Sequence, residues 1–291
     1  MATLNPGESL WPAPAKLNLF LHVTGRRADG YHELQTVFQL IDLCDSVLLE
    51  VREDGRIERR EGPPGVEPQA DLTVRAARAL QEATGTALGA NLRVRKRIPI
   101  GGGLGGGSSD AATTLLALNR LWGCGLEVEA LARIGLPLGA DVPVFVRGFS
   151  AWAEGVGERL TPLELPERWY VVIHPGVAVS TRDVFQAPEL TRNSPLITIR
   201  AFFEAGGRND CEPVVRARYP EVDAALQWLS RSAPARLTGT GSCIFASCAT
   251  AIEAERIAAR VPEEWTSFVA RGLTRSPAAL RAMPATVPPP R

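Results

Sequence analysis

Apolar and polar positions alternate with a period of two in KLNLFLHV (16–23), which predicts a strand. RADGYHE (27–33) interrupts it as a turn around Asp29-Gly30. LQTVFQLIDLCDSVLLEVRE (34–53) reads as two further strands with a turn near Asp42–Asp45, and EGPPGVEPQ (61–69) as a surface loop. The period then lengthens to that of a helix in DLTVRAARALQEATG (71–85), with Asp71 as N-cap and Gly85 as C-cap. LRVRKRIPI (92–100) predicts a strand whose charged positions leave one face polar. AATTLLALNRLW, apolar at 111, 115, 118 and 122, predicts a helix stopped by Gly123, with Ser108, Ser109 and Asp110 as N-cap residues.

Beyond Pro162 the pattern runs strand, helix, strand, strand, helix, strand. WYVVIHP (169–175) is followed by helical stretches between about 181 and 231, then by ARLTGTGSCIFAS (235–247) as strand, turn and strand. TAIEAERIAARV (250–261) is a helix and TSFVARGL (266–273) a last strand, which predicts an α+β unit. PATVPPPR reads as a disordered tail from about residue 284.

A chain of 291 residues has room for two domains with separate cores. Its formal net charge of zero favours neither nucleic acid nor an acidic membrane as partner. MATLNPGESLWPAPAK lacks the basic start of a secretory signal, and no apolar run is long enough to span a bilayer. Five cysteines form no CxxC pair and are odd in number, which points to reduced thiols and a cytoplasmic protein. The three histidines give no metal-binding spacing. Arginine dominates the basic residues, and the only lysines are Lys16 and Lys96. A chain so biased keeps lysine where a compact ammonium is needed and a planar guanidinium does not serve.

Six of the seven residues from Gly101 to Gly107 are glycine. Each ordered glycine costs up to roughly 1 kcal/mol more backbone entropy than alanine. A glycine loop feeding a helix N-terminus brings unpaired N–H groups and a positive dipole end to one place, which suits a phosphate better than a linker role. A branched Cβ at Gly105 or Gly106 is then expected to occupy the phosphate position. The P-loop pattern fails because the chain has no Gly-Lys pair. Gly101, Gly103 and Gly106 nominally fit a dinucleotide-binding GxGxxG, but the charged strand before them does not suit a fully buried first strand.

PIGGGLGGGSSDAA resembles the phosphate loop of the GHMP kinases. PAKLNLFLHVTGRRADGYHELQTVFQ (14–39) and RLTGTGSCIFA (236–246) are similar to the first and third motifs of the diphosphocytidyl-methylerythritol kinase branch. LGADVPVF (138–145), GRND with EPVV (207–215) and FVARGLTRSP (268–277) extend the resemblance in order along the chain. The resemblance implies an α+β two-domain GHMP kinase fold. A ribosomal-S5-domain-2-like N-terminal domain would span 1–163 and a ferredoxin-like C-terminal domain 164–291, with ATP and substrate between them.

By the same resemblance, ATP is expected on Lys96, Pro99, Ile100, Gly101, Gly102, Gly103, Leu104, Gly105, Gly106, Gly107, Ser108, Ser109 and Asp110, with Mg2+ accompanying it. Asp141 corresponds to the catalytic base and Lys16 to the catalytic lysine. Tyr31 and Phe185 would sandwich a cytosine, His32 would read its edge, and Asn18 and Thr181 would hold the substrate. Gly239 and Gly241 would form a second backbone nest against it. The implied partner is a small cytidine diphosphate-sugar-alcohol, with no nucleic acid and no membrane, and the protein a monomer or homodimer. Taken singly, these residues have plainer readings: Asp141 as a turn residue, Lys16 and Lys96 as exposed charges, TGTGS as a hairpin turn, and Phe185 as core. Asp71 departs from the asparagine usual in the family block and adds a carboxylate near the nucleotide. Another small alcohol, such as homoserine or mevalonate, is the alternative substrate, and an S5-like RNA-binding module the alternative class.

Overall fold

The computed structural model describes residues 7–283, so the tail expected to be disordered lies outside them. The N-terminal part runs β1 (Ser9–Arg26), β2 (His32–Arg52), β3 (Ile57–Glu61), α1 (Leu72–Thr84), β4 (Gly89–Arg95), α2 (Gly106–Leu121), α3 (Val128–Gly135), α4 (Val142–Arg147), β5 (Ala151–Gly155) and β6 (Arg159–Pro162). The C-terminal part runs β7 (Trp169–His174), α5 (Thr181–Gln186), α6 (Ile199–Ala205), α7 (Glu212–Arg218), α8 (Pro220–Ser230), β8 (Ala235–Leu237), β9 (Ile244–Cys248), α9 (Ala251–Ala258), β10 (Thr266–Leu273) and α10 (Pro277–Ala282).

The strands connect in the order β3-β4-β2-β10-β7-β9-β8, with β1 and β5 also pairing with β2. The link between the two parts is the end of β10, where Gly272 and Leu273 pair antiparallel with Ile41 and Leu40 of β2. Two main apolar clusters result. One packs α1, α2 and α4 onto the N-terminal strands around Trp11, Leu40, Leu115 and Phe145. The other packs α7, α8 and α9 against β7, β8 and β9 around Val171, Val215, Leu229 and Ile244. All five cysteines are free, and among the described residues no helix is long and apolar enough to cross a membrane.

Three local expectations are corrected. The segment 34–53 is one continuous strand, not two strands and a turn. β1 follows it from Ser9 opposite Leu49 to Arg26 opposite His32, and a register shift between Pro14 and Ala15 absorbs the polar interruption as a bulge. The two aspartates that suggested a turn are cross-links instead. Asp42 accepts the Arg271 N–H at 2.7 Å, and buried Asp45 accepts the N–H groups of Arg97 and Ile98 at 2.5 and 2.8 Å. Those last bonds also end β4 at Arg95 rather than Ile100, because the amides that would continue its ladder turn to a side chain. Finally, α2 starts at Gly106, capped by Gly105 at φ 72° with no side-chain cap, so Ser109 and Asp110 lie buried within the helix rather than at its cap.

The C-terminal part is fastened to β1 by the GRND block. Leu21 N–H donates to Arg208 O at 3.0 Å and Asp210 N–H to Leu21 O at 2.8 Å, while the Asp210 carboxylate accepts Val23 N–H at 2.8 Å. The Asn209 amide donates to Leu237 O and Gly239 O and fixes the second glycine turn. That turn abuts the first: Cys243 N–H donates to Gly102 O at 3.1 Å, and a Cβ on Gly103 would lie 2.3 Å from Thr238 O.

Gly103→Ala is therefore expected to cost about 2–4 kcal/mol, because its φ of 74° and the facing backbone both exclude a methyl group. Gly107→Ala in the same loop meets only Leu72 at 3.4 Å and should be neutral or gain up to about 1 kcal/mol. Urea unfolding of the two variants decides; equal stability of both would remove the close contact from the account.

Candidate active site

Lys16 sits in the middle of β1, where its backbone N–H donates to Leu104 O at 3.0 Å and so ties the strand to the glycine loop. The side chain is 4 % exposed, which excludes an exposed strand-start lysine. Its ammonium donates to Asn18 Oδ1 at 2.5 Å and Gly103 O at 3.0 Å, and pairs with Asp141 Oδ2 at 3.4 Å. Asp141 occupies the N-cap position of α4, yet its carboxylate makes no capping bond. It is not the turn-forming side chain that its Gly-Ala-Asp-Val-Pro setting suggests. The carboxylate faces Lys16 and remains 30 % exposed, which leaves an oxygen open to the cleft.

The glycine loop takes left-handed backbone at Gly101, Gly103 and Gly105 and delivers the chain to the N-terminus of α2. The expected role of Gly105 and Gly106 is corrected. A Cβ on Gly105 would strike the Phe145 ring at 2.9 Å and approach Lys16 Cε at 3.2 Å. One on Gly106 would approach Ile98 at 3.1 Å and Lys96 Nζ at 3.2 Å. Gly105 requires glycine because its φ of 72° and the Phe145 ring behind it both exclude a side chain, whereas at Gly106 the protein behind the loop would have to give by a few tenths of an ångström.

Behind the loop Lys96 is buried between two carboxylates, with Nζ 2.5 Å from Asp45 and 2.7 Å from Asp110. Burial alone would lower its pKa, but Asp110 and Asp45 outweigh it and the net direction is up. Burial pushes Asp110 up to about 7; Lys96 opposes the rise and the Asp45 carboxylate adds to it. Among the described residues, Ser109 Oγ and Asp110 Oδ1 are buried without a hydrogen-bond partner. The Asp71 carboxylate is spent locally: it caps α1 through Thr73 N–H at 2.9 Å and pairs with Arg59 at 3.1 Å.

At the far end, His32 and Phe185 stack with centroids 5.0 Å apart and planes 27° from parallel. Tyr31 is 64 % exposed. The structure thus leaves Tyr31 open, while the Phe185 ring carries His32 rather than standing free as one face of a sandwich. Burial first, then the charges of Arg192 and Arg26, lower the His32 pKa. Thr181 Oγ1 lies 2.9 Å from Thr240 Oγ1, and Asn18 donates to Thr36 Oγ1 at 2.9 Å.

One cleft of about 1250 Å³ runs from Lys16, Asp141 and the glycine loop to Tyr31, His32 and Phe185. A single small-molecule site is typically about 300–1,000 Å³, so the cleft has room for a nucleotide and a second ligand. Of the residues expected at the site, the cleft gathers all but two. Ser109 is buried inside α2, and Gly241 points toward Leu237, Val215 and Val179. Sequence reasoning missed Asp45, Thr36 and Arg192. Asp45 carried a signal, as an acidic residue just before the apolar run Val47–Leu49; Arg192, one of many arginines, carried none.

Residues 71–149 match the GHMP kinases N terminal domain and residues 189–267 the GHMP kinases C terminal domain. The chain is 60 % identical over 272 residues to the 4-diphosphocytidyl-2-C-methyl-D-erythritol kinase of Halorhodospira halophila, covering 92 % of this chain and 94 % of that one. It is 60 % identical over 266 residues to the enzyme of the same name from Alkalilimnicola ehrlichii, covering 91 % of each. A crystal structure of 4-(cytidine 5'-diphospho)-2C-methyl-D-erythritol kinase superposes with a TM-score of 0.80 at 36 % identity, over 91 % of this chain and 99 % of that one.

The raised Asp110 carries a pH signature. Its folded pKa of about 7 exceeds its unfolded value of about 4, so its contribution to stability is full below pH ~4 and is lost as pH rises through about 7. Asp110→Asn removes that loss. The melting temperature of the wild type relative to the variant should therefore fall between pH 5 and pH 8. A difference that stays flat, or grows with pH, contradicts the assignment.

Proposed function

The chain belongs to the GHMP kinases, and from that premise we propose that it uses ATP to phosphorylate the 2-hydroxyl of 4-diphosphocytidyl-2-C-methyl-D-erythritol, a step in non-mevalonate isoprenoid precursor synthesis. The observation that carries the reading is the Lys16–Asp141 pair. It lies in one cleft between the glycine loop, suited to phosphates, and the His32–Phe185 end, suited to a flat base.

Phosphoryl transfer asks for positioning, charge neutralisation and a group to take the hydroxyl proton. On this reading the N–H groups at the start of α2 and the glycine loop hold the nucleotide phosphates. Asp141 accepts the proton of the substrate 2-hydroxyl through its open oxygen. The freed oxygen attacks the γ-phosphorus, the bond from that phosphorus to the bridging oxygen breaks, and ADP leaves. Lys16, fixed by Asn18 and Gly103, holds Asp141 in place and sets a compact positive charge beside the transferring group. Thr181 and Asn18 line the route between the two ends.

The donor set suits magnesium carried mainly by the nucleotide. Among the described residues no three His, Cys, Asp or Glu side chains cluster as a metal cage, while Ser108 and Asp141 offer oxygens along the cleft. When bound, the ion would neutralise phosphate charge; Ser108 is the residue placed to hold it, with Asp141 left free to take the proton. Free thiols throughout support a reducing, cytoplasmic setting.

An assay of ADP release across alcohols tests the substrate. The cytidine compound should be turned over, whereas its uridine counterpart, bare methylerythritol phosphate, homoserine and mevalonate should be poor. A site built for cytosine leaves donors and acceptors mismatched at the 4-position of uracil. Comparable turnover of the cytidine and uridine compounds contradicts cytosine recognition, and a preference for homoserine or mevalonate overturns the substrate altogether. Asp141→Asn should lower kcat by about 10² to 10⁴ with little change in substrate binding. Lys16→Arg should not restore it, since a guanidinium does not fit a space bounded by Asn18, Gly103 and Asp141. A Lys16→Arg enzyme of near wild-type activity would break the argument for that lysine.

A further inference from the structure

Arg192 follows α5 by a few residues and belongs to none of the motifs read from the sequence. Its guanidinium nonetheless makes four hydrogen bonds. Nη2 donates to Phe185 O at 2.9 Å and to Ala187 O at 2.7 Å, and Nη1 donates to Leu190 O at 3.0 Å. These carbonyls lie at and after the C-terminal end of α5, where carbonyl groups lack helical partners. Its Nε–H reaches across to the N-terminal part and meets Nε2 of His32 at 3.2 Å. Among the described residues Arg192 makes no ion pair with a carboxylate, so its hydrogen bonds run to neutral acceptors.

A guanidinium has no lone pair to offer and is never deprotonated in a protein. Any nitrogen it faces must therefore accept. Burial first, then the charges of Arg192 and Arg26, disfavour a second proton on the His32 ring. A neutral imidazole that accepts at Nε2 carries its proton on Nδ1. The same guanidinium anchors the backbone of Phe185, on which the His32 ring is stacked.

We propose that Arg192 is a positioning residue for base recognition: it fixes His32 as the Nδ1–H tautomer stacked on Phe185, so that the histidine edge offered to the cleft is a hydrogen-bond donor. The inference rests on the cytosine-binding reading above for its ligand, but not for its geometry. A fixed donor suits the acceptor edge of cytosine, formed by N3 and O2. It opposes the N3–H of uracil, so a device outside the stacking residues contributes to the choice of base.

Nitrogen-15 NMR of the enzyme labelled at its three histidines reads the tautomer without any substrate, with His32→Asn used to assign the signal. The wild type should show His32 with a protonated Nδ1 and a bare Nε2 at neutral pH. Arg192→Gln should turn this into a mixture of tautomers with an upward shift in the His32 titration. In kinetics, Arg192→Gln should raise KM for the cytidine substrate about ten-fold, the loss of one hydrogen bond to a fixed partner. The KM for ATP should not change, and kcat should stay within about two-fold. An asparagine amide at position 32 supplies a donor near the Nδ1 position without needing a tautomer. In the His32→Asn background the KM effect of Arg192→Gln should therefore shrink to about two-fold.

His32 found protonated at Nε2 in the wild type overturns the proposal. So does an Arg192→Gln spectrum identical to wild type, or a KM penalty equally large in the His32→Asn background, which would make Arg192 a staple for α5 alone. If the NMR result holds but the cytidine compound is no substrate, the tautomer assignment stands and the cytosine reading fails.

Discussion

Backbone lies directly on backbone where Gly103 meets Thr238 and Gly241, and the rest of the site depends on that contact. A Cβ at Gly103 would come within 2.3 Å of the Thr238 carbonyl oxygen, closer than real side chains approach, and 3.0 Å from that of Gly241. On the opposite side, a Cβ at Gly239 would lie 3.1 Å from Gly103 O. Two glycine turns from distant parts of the chain thus close to a separation that only glycine allows. The consequence reaches the chemistry, because Gly103 O and Leu104 O are the acceptors that hold the ammonium and the backbone of Lys16. The same closure sets the start of α2 against the cleft, which Gly106, Gly107 and Ser108 line.

The two lysines make sense within that geometry. Each sits in a buried space bounded by oxygens on several sides: Lys16 among Asn18, Gly103 and Asp141, and Lys96 between Asp45 and Asp110. A compact ammonium with three rotatable donors satisfies such a set, and a planar fork does not. Arginine pairs with exposed carboxylates, as in Arg200–Glu204 or Arg27–Asp29, with buried ones, as in Arg59–Asp71, and with a row of backbone carbonyls, as at Arg192. Exposed pairs of that kind contribute about 0–1 kcal/mol each. The buried lysine clusters have more at stake, since removing one partner strands a charge away from water.

Much of this was legible in the sequence, and what was not has identifiable causes. Periodicity located α1 because it buries one face, while β1 and α2, buried nearly all round, were marked by alternation of residue type and by the glycines that bound the helix. It misread 34–53 because Asp42 and Asp45 resemble turn residues when seen without the amides they bind. The start of α2 was misplaced for a related reason: serines and an aspartate are good caps, yet here glycine caps the helix and Asp110 turns inward to Lys96. The site was recognisable because its glycines and its Lys16 and Asp141 stand in a distinctive order. The sense of the glycines was not recoverable, since local sequence does not reveal that Phe145 and Ile98 pack behind Gly105 and Gly106. Arg192 could not be singled out at all. Its importance comes from His32, 160 residues away in sequence.

The central claim is that the Lys16–Asp141 cleft moves a phosphoryl group onto a single hydroxyl of a cytidine-bearing alcohol. Phosphorus-31 NMR of the reaction with ATP and 4-diphosphocytidyl-2-C-methyl-D-erythritol observes that transfer directly. The account predicts one new phosphomonoester signal growing in step with ADP, while the two diphosphate signals of the substrate remain intact. Formation of inorganic phosphate alone, or loss of the substrate diphosphate signals, would contradict it.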